Sequence, residues 1–205
     1  MNLIKQLTPR KSGLIGAILA IIFFLFFLIL GFLQPGYNHF RDTVSELVLG
    51  SYGWIQTINF GILIVSTILV GFSLKKHIKT KNSFTRMTFW MCIFELVVIF
   101  ICPVNSKILI IIHNLSVFIL IITVTLMIFS MIKGIKLNLY WKKFVPYFYF
   151  ALLFNLIFGM LWFYFKENGI LFEWKGLFQK IIILNMIIWL STTGFRLWRL
   201  GINNS

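Results

Sequence analysis

Six long runs of apolar residues, separated by short polar segments, dominate the pattern of hydrophobic and polar positions along the chain. A transmembrane helix needs about 20 mostly apolar residues to cross the ~30 Å hydrocarbon core of a bilayer. The predicted helices cover residues 13–33, 54–74, 87–102, 108–132, 144–165 and 181–198. The pattern therefore predicts an all-α, polytopic membrane protein with a single domain over residues 1–205, built as a bundle of six transmembrane helices.

The second run carries small and polar residues at helical spacing. Its members are Gln56, Asn59, Leu63, Ser66, Val70 and Ser73, which follow one another at intervals of three and four residues. This spacing places them on one face of a helix. Small and polar residues on one face favour helix–helix contact in lipid, so we expect this face to pack inside the bundle.

The connection between the first and second helices is the longest on its side of the membrane, and it is rich in polar residues. A Pro-Gly pair at 35–36 indicates a turn. Thr43 and Glu46 fit a capping box, in which each residue would satisfy a backbone group of the other. The sequence therefore predicts a short interfacial helix over residues 44–49 within this first outer loop.

The distribution of charged residues predicts the orientation of the chain in the membrane. The chain has 19 Lys and Arg against 5 Asp and Glu, a formal net charge of +14. In a soluble protein this excess would suggest nucleic acid, but cytoplasmic loops of membrane proteins also collect Lys and Arg. Fourteen of the 19 fall on the side that carries both chain ends. We therefore predict no nucleic-acid partner, a plasma-membrane location and cytoplasmic N- and C-termini.

Two ionisable residues inside the predicted membrane spans, Glu95 and His113, are candidates for chemistry. Glu95 lies roughly 12 to 14 Å from either end of the third helix, and His113 about 9 Å inside the outer end of the fourth. Intramembrane ionisable residues are rare and usually face the bundle interior or a cavity. Each could also be a residue that neighbouring helices satisfy by hydrogen bonding, and both interpretations stay open.

One functional hypothesis is an enzyme. In it, the protein is a lipid-directed hydrolase or acyl-remodelling enzyme that acts on membrane lipid at the outer leaflet. Ser45 or Thr43 would be the nucleophile and His113 the general base. Asp42 or Glu46 would orient the imidazole. In the structural alternative, these loop residues only cap and orient the short helix.

The other hypothesis is a proton-coupled transporter, a small-ligand binder or a membrane-assembly factor centred on Glu95. The candidate substrate-binding residues are Glu95, Arg41, Tyr37 and Asn105. We expect no cofactor and no metal, because the sequence has no C-x-x-C or H-E-x-x-H spacing. A metal site at His39, Asp42, Glu46 and His113 is conceivable, but it has no recognisable ligand spacing.

Three parts of the sequence together resemble a known family. The first loop reads QPGYN at residues 34–38 and RDTVSEL at 41–47, Pro103 follows the third helix, and GLFQKI at 176–181 precedes the sixth. With His113 and Trp189 this resembles the prokaryotic membrane proteins catalogued as domain of unknown function 998. The resemblance implies a six-helix bundle in the plasma membrane and no particular activity. Asn105 and Lys180 depart from it, where Asp and Arg are expected.

Overall fold

The computed structural model describes residues 8–78, 83–102, 104–167 and 172–202. Its long helices are α1 (Pro9–Leu33), α2 (Gly53–Ile78), α3 (Ser83–Ile101), α4 (Lys107–Leu137), α5 (Val145–Glu167) and α6 (Lys175–Ile202). Short 3-10 helices occur at Glu46–Leu49, Lys142–Phe144 and Phe172–Trp174. The residues that the structure describes contain no strand. The all-α, six-helix prediction is confirmed. Pro103, expected to end the third helix, lies outside the described residues.

The helices extend beyond the apolar spans because their ends carry polar residues that suit a helix terminus. α1 begins with Pro9 at its first position, and the Thr8 hydroxyl accepts a hydrogen bond from the Lys11 N–H. The Ser106 hydroxyl caps α4 in the same way by accepting from the Leu109 N–H. The last turn of α2 is basic, which complements the negative end of the helix dipole.

The six helices form a closed ring. Each packs against the next in the chain, α6 returns to α1, and α2 also contacts α6. By length and composition, all six can cross a membrane. Large apolar side chains such as Phe32, Phe94 and Met160 are exposed on the outside, and lipid removes the cost of exposing them to water. The chain is therefore a multi-pass membrane protein.

The polar face of α2 lies inside the ring, as its spacing predicted. All six of its residues are buried: Gln56, Asn59, Leu63, Ser66, Val70 and Ser73. The Ser66 hydroxyl donates to the Gly16 carbonyl at 2.8 Å, and the hydroxyl oxygens of Ser12 and Ser73 are 2.6 Å apart. These bonds join α2 to α1, so the face acts as a helix–helix contact.

Glycines allow α1 and α6 to approach closely. A Cβ atom on Gly194 would clash with the Gly13 carbonyl oxygen and lie 2.8 Å from the Ala17 Cβ. Such contacts between small residues increase van der Waals packing, which drives helix association in lipid. The backbones of α1 and α6 therefore meet at this crossing, where the ring closes.

Gly194→Ala is expected to lower the free energy of unfolding by about 1 to 3 kcal/mol, because the added methyl overpacks this crossing. Gly61→Ala is the matched control, since its Cβ would meet nothing closer than 3.8 Å. Thermal melting of both variants in detergent measures the difference. Equal melting temperatures would contradict this expectation and show that the α1–α6 crossing tolerates a side chain.

Candidate functional site

The first loop, residues 34–52, folds over one end of the ring. Val44 and Leu47 are only 1% and 2% exposed and belong to the hydrophobic core. Gly36 has a φ of +75°, a conformation that suits glycine, and it reverses the chain just after α1. The loop therefore forms a cover over the end of the bundle, and two of its apolar side chains reach inside.

Backbone hydrogen bonds dock the loop onto the start of α6. The Val44 N–H donates to the side-chain oxygen Oε1 of Gln179 at 2.7 Å, and the Leu177 N–H donates to the Phe40 carbonyl at 2.8 Å. Gly176 lies so close to the loop backbone that a Cβ would clash with it. Since Val44 and Gln179 are 135 residues apart, this docking is a tertiary contact.

Lys180 is the second point of attachment. Its ammonium group donates to the carbonyl oxygens of His39, at 2.9 Å, and Asp42, at 2.6 Å, and lies 5.0 Å from the centre of the Tyr37 ring. The Tyr37 hydroxyl donates to the carbonyls of Asp42 and Thr43. Burial raises the pKa of Tyr37, and the charge of Asp42 adds to this effect, so the phenol remains a donor.

The capping box forms only in part. The Thr43 N–H donates to Glu46 Oε2 at 2.6 Å, as predicted, but the Thr43 hydroxyl pairs with the Ser45 hydroxyl at 3.1 Å. The helical turn is a 3-10 helix over Glu46–Leu49, shorter than the predicted one. It starts two residues later, and Val44, which precedes it, is held to α6 through its N–H.

The loop carboxylates have specific partners. Asp42 accepts from Arg41 Nε and from the Asn38 N–H, both at 2.8 Å, and Glu46 accepts from Lys175 Nζ at 3.1 Å. Partial burial raises the pKa of Asp42, but the hydrogen bonds and the positive charges of Arg41 and Lys175 outweigh it. The pKa of Asp42 is therefore below its usual value, and the carboxyl is ionised at neutral pH.

Two cavities lie beneath the loop. The apolar cavity, of about 90 Å³, sits at the centre of the ring and is lined by all six helices. The polar cavity, of about 290 Å³, lies closer to the loop and is lined by residues that include Thr43, Glu46, Asn114 and Lys175. The residues that line both cavities are Ser45, His113, Val117, Trp162 and Gln179.

Three polar side chains therefore mark the junction of the two cavities: Ser45, His113 and Gln179. Nδ1 of His113 lies 2.9 Å from the Cys102 carbonyl oxygen. A carbonyl only accepts, so Nδ1 carries the proton of the neutral ring and Nε2 carries the lone pair. Because Oε1 of Gln179 accepts from the loop backbone, the amide NH₂ is its remaining polar group.

The predicted site residues separate into two groups. Thr43, Ser45, Glu46 and His113 line the polar cavity together. Asp42, Arg41 and Tyr37 lie within the loop, outside the linings of both cavities, and Asn105 is exposed in the turn between α3 and α4. Glu95 is buried on α3 and is also absent from both linings.

Sequence reasoning assigned no role to Gln179, Asn114 or Trp162, although all three line the polar cavity. The only feature of the sequence that pointed to this region was the GLFQKI stretch of the family resemblance, which contains Gln179 and Lys180. Within the described part of the chain, no group of three or more His, Cys, Asp or Glu side chains is placed to hold a metal ion.

A family model described as "Protein of unknown function (DUF998)" matches residues 17–196, which include the first loop, both cavities and most of α6. No curated protein and no solved structure matches the chain.

Proposed function

We propose that this chain, which belongs to the DUF998 family, is a membrane-embedded enzyme that hydrolyses or transfers an acyl group of a lipid. One observation carries the proposal: the Ser45 hydroxyl and the His113 imidazole belong to residues that line both an apolar and a polar cavity. A lipid has the same division into apolar chain and polar head, and its ester group lies between them. The ester of a bound lipid would therefore lie at the junction.

Ser45 and His113 have complementary roles in the proposed reaction. Ser45 Oγ attacks the ester carbonyl carbon, and its proton passes to Nε2 of His113. The bond from that carbon to the alcohol oxygen breaks, and the departing alcohol takes the proton from His113. Water then attacks the acyl carbon and gives a proton to Nε2, the bond to Ser45 Oγ breaks, and Ser45 recovers the proton. A second alcohol in place of water gives acyl transfer.

Neighbouring groups would support these steps. The Cys102 carbonyl at Nδ1 would hold the ring with its lone pair on Nε2, the role that we had assigned to Asp42 or Glu46. The NH₂ group of Gln179 would donate to the oxyanion that forms from the ester carbonyl. The loop's docking on α6 would hold Ser45 in place and limit the access of water.

Ser45 is a better nucleophile candidate than Thr43, because Thr43 lines only the polar cavity. The geometry also favours the enzyme over a proton-coupled transporter, small-ligand binder or assembly factor centred on Glu95, since neither cavity is lined by that residue. By the positive-inside pattern, the lipid would come from the outer leaflet.

A long-chain alkyl fluorophosphonate tests the proposal directly. An activated serine forms a bond to phosphorus as fluoride leaves, so we expect one label per chain, on the peptide that contains Ser45. The purified protein in mixed native lipids should release an acyl product, visible by mass spectrometry, in proportion to its unlabelled fraction.

The exposed Ser51 in the same loop should remain unlabelled and acts as an internal control. A label on another residue would contradict the role of Ser45. Absence of any acyl product, or its continued release from fully labelled protein, would contradict the proposed function.

A further inference from the structure

We infer that the apolar cavity binds one acyl chain of the substrate, and that the floor of the cavity limits the length of that chain. This inference deepens the proposed function and rests on it for the position of the ester group. The polar residues at the mouth are Ser45, His113 and Gln179, and beyond them the lining is mostly Phe, Leu, Ile, Val and Met. Such a lining matches a hydrocarbon chain with a polar group at one end only.

The depth of the cavity supports this occupant. Along α4 the lining runs from His113 to Val124, about 16 Å at 1.5 Å per residue. Along α6 it runs from Gln179 to Met186, about 10 Å. One leaflet contributes half of the ~30 Å hydrocarbon core, about 15 Å. The depth of the cavity along α4 is therefore close to the thickness of one leaflet, which is the length that an acyl chain spans in the bilayer.

The inner end of the cavity is fixed by hydrogen bonds. Asn155 on α5 donates through Nδ2 to the Ile121 carbonyl at 3.1 Å and to the Thr125 hydroxyl at 2.8 Å, both on α4. Both amide protons are thus used within the protein, so Asn155 has no donor left for a polar ligand group. Val124 and Met186 are the lining residues furthest along α4 and α6 from the loop, and together with Asn155 they would form the floor.

Substitutions at Val124 should change chain-length preference in opposite directions. Val124→Phe fills the floor and should reduce turnover of the longest esters about fourfold for each methylene that no longer fits. Val124→Ala deepens the floor and should extend the preference to longer chains. The measurement is the rate of hydrolysis for a homologous series of single-chain acyl esters, whose longest members exceed the depth of a leaflet.

Ile122→Phe is the matched control, because Ile122 lies two residues away and is 42% exposed on the outside of the bundle. Its length profile should equal that of the wild type. If Val124→Phe fails to fold, the length profile of Val124→Ala alone tests the inference. A wild-type length profile in folded Val124 variants, or an equal shift in Ile122→Phe, would overturn the inference.

A binding measurement separates this inference from the proposed function. Delipidated protein is mixed with non-hydrolysable single-chain ethers of graded length, and the bound fraction is read by native mass spectrometry. If length-dependent binding changes with Val124 but no ester is turned over, the acyl-chain site stands and the enzymatic role falls. If esters are turned over but binding shows no length limit, the inference about the floor falls and the enzymatic role stands.

Discussion

Ser45→Ala is expected to lower lipid turnover by about 10³- to 10⁶-fold, because the substitution removes the group that would carry the acyl chain. Its structural cost should be small. Ser45 is the N-cap residue of the 3-10 helix at Glu46–Leu49, but its side chain makes no capping hydrogen bond there. The loss is one hydroxyl contact, to Thr43, worth about 0.5 to 1.5 kcal/mol.

The measurement is product formation per protein in mixed lipids, with thermal melting as the check on folding. Ser51→Ala is the matched control, since Ser51 is exposed in the same loop and should keep wild-type turnover. Folded Ser45→Ala protein with wild-type turnover would exclude Ser45 as nucleophile. Thr43→Val would then test the other hydroxyl, which lies 3.1 Å away in the same lining.

The helices could be predicted from the sequence because their signals are local. An apolar run of membrane-crossing length has few alternatives in a bilayer, where every backbone group must be satisfied internally. The buried face of α2 was predictable for a similar reason: Ser66 and Ser73 share one side of any α-helix, whatever surrounds it. The partners of that face, Gly16 and Ser12 on α1, could not be read from the spacing.

The loop shows where local reasoning ends. The contact of Glu46 with the Thr43 N–H is local, and the sequence predicted it. The attachment of Val44, just before the helical turn, depends on Gln179, which binds the Val44 N–H from far along the chain. Lys180 donates to two loop carbonyls. No spacing rule could have shown that these two residues dock the loop.

For the two intramembrane residues, the sequence predicts the depth in the membrane but not the direction in which the side chain faces. A sequence gives the depth of Glu95 and His113 along their helices, but the helix face that meets a cavity depends on how the ring closes. His113 lines both cavities, whereas Glu95, although buried, lines neither. The orientation of the His113 ring by the Cys102 carbonyl arises from the turn between α3 and α4, so it too required the folded chain.

His113→Ala should lower lipid turnover by about 10²- to 10⁴-fold, the usual contribution of a positioned general base. The smaller loss than for Ser45→Ala follows from the chemistry, since water or a diffusing base can still remove the serine proton. Added imidazole should therefore restore part of the turnover of His113→Ala. Small, neutral imidazole can take the place of the deleted ring. If His113 had a purely structural role, added imidazole would not restore turnover.

His39→Ala is the matched control for the loss of an imidazole at the same end of the bundle. The side chain of His39 packs against Phe32 and Tyr37, and the bond from Lys180 reaches only its backbone carbonyl, which alanine retains. This variant should keep wild-type turnover and gain nothing from imidazole. If imidazole rescues neither variant while His113→Ala is folded and inactive, His113 supports the structure of the junction instead of accepting the Ser45 proton. The base would then have to be sought among the other residues of the polar cavity, beginning with Glu46.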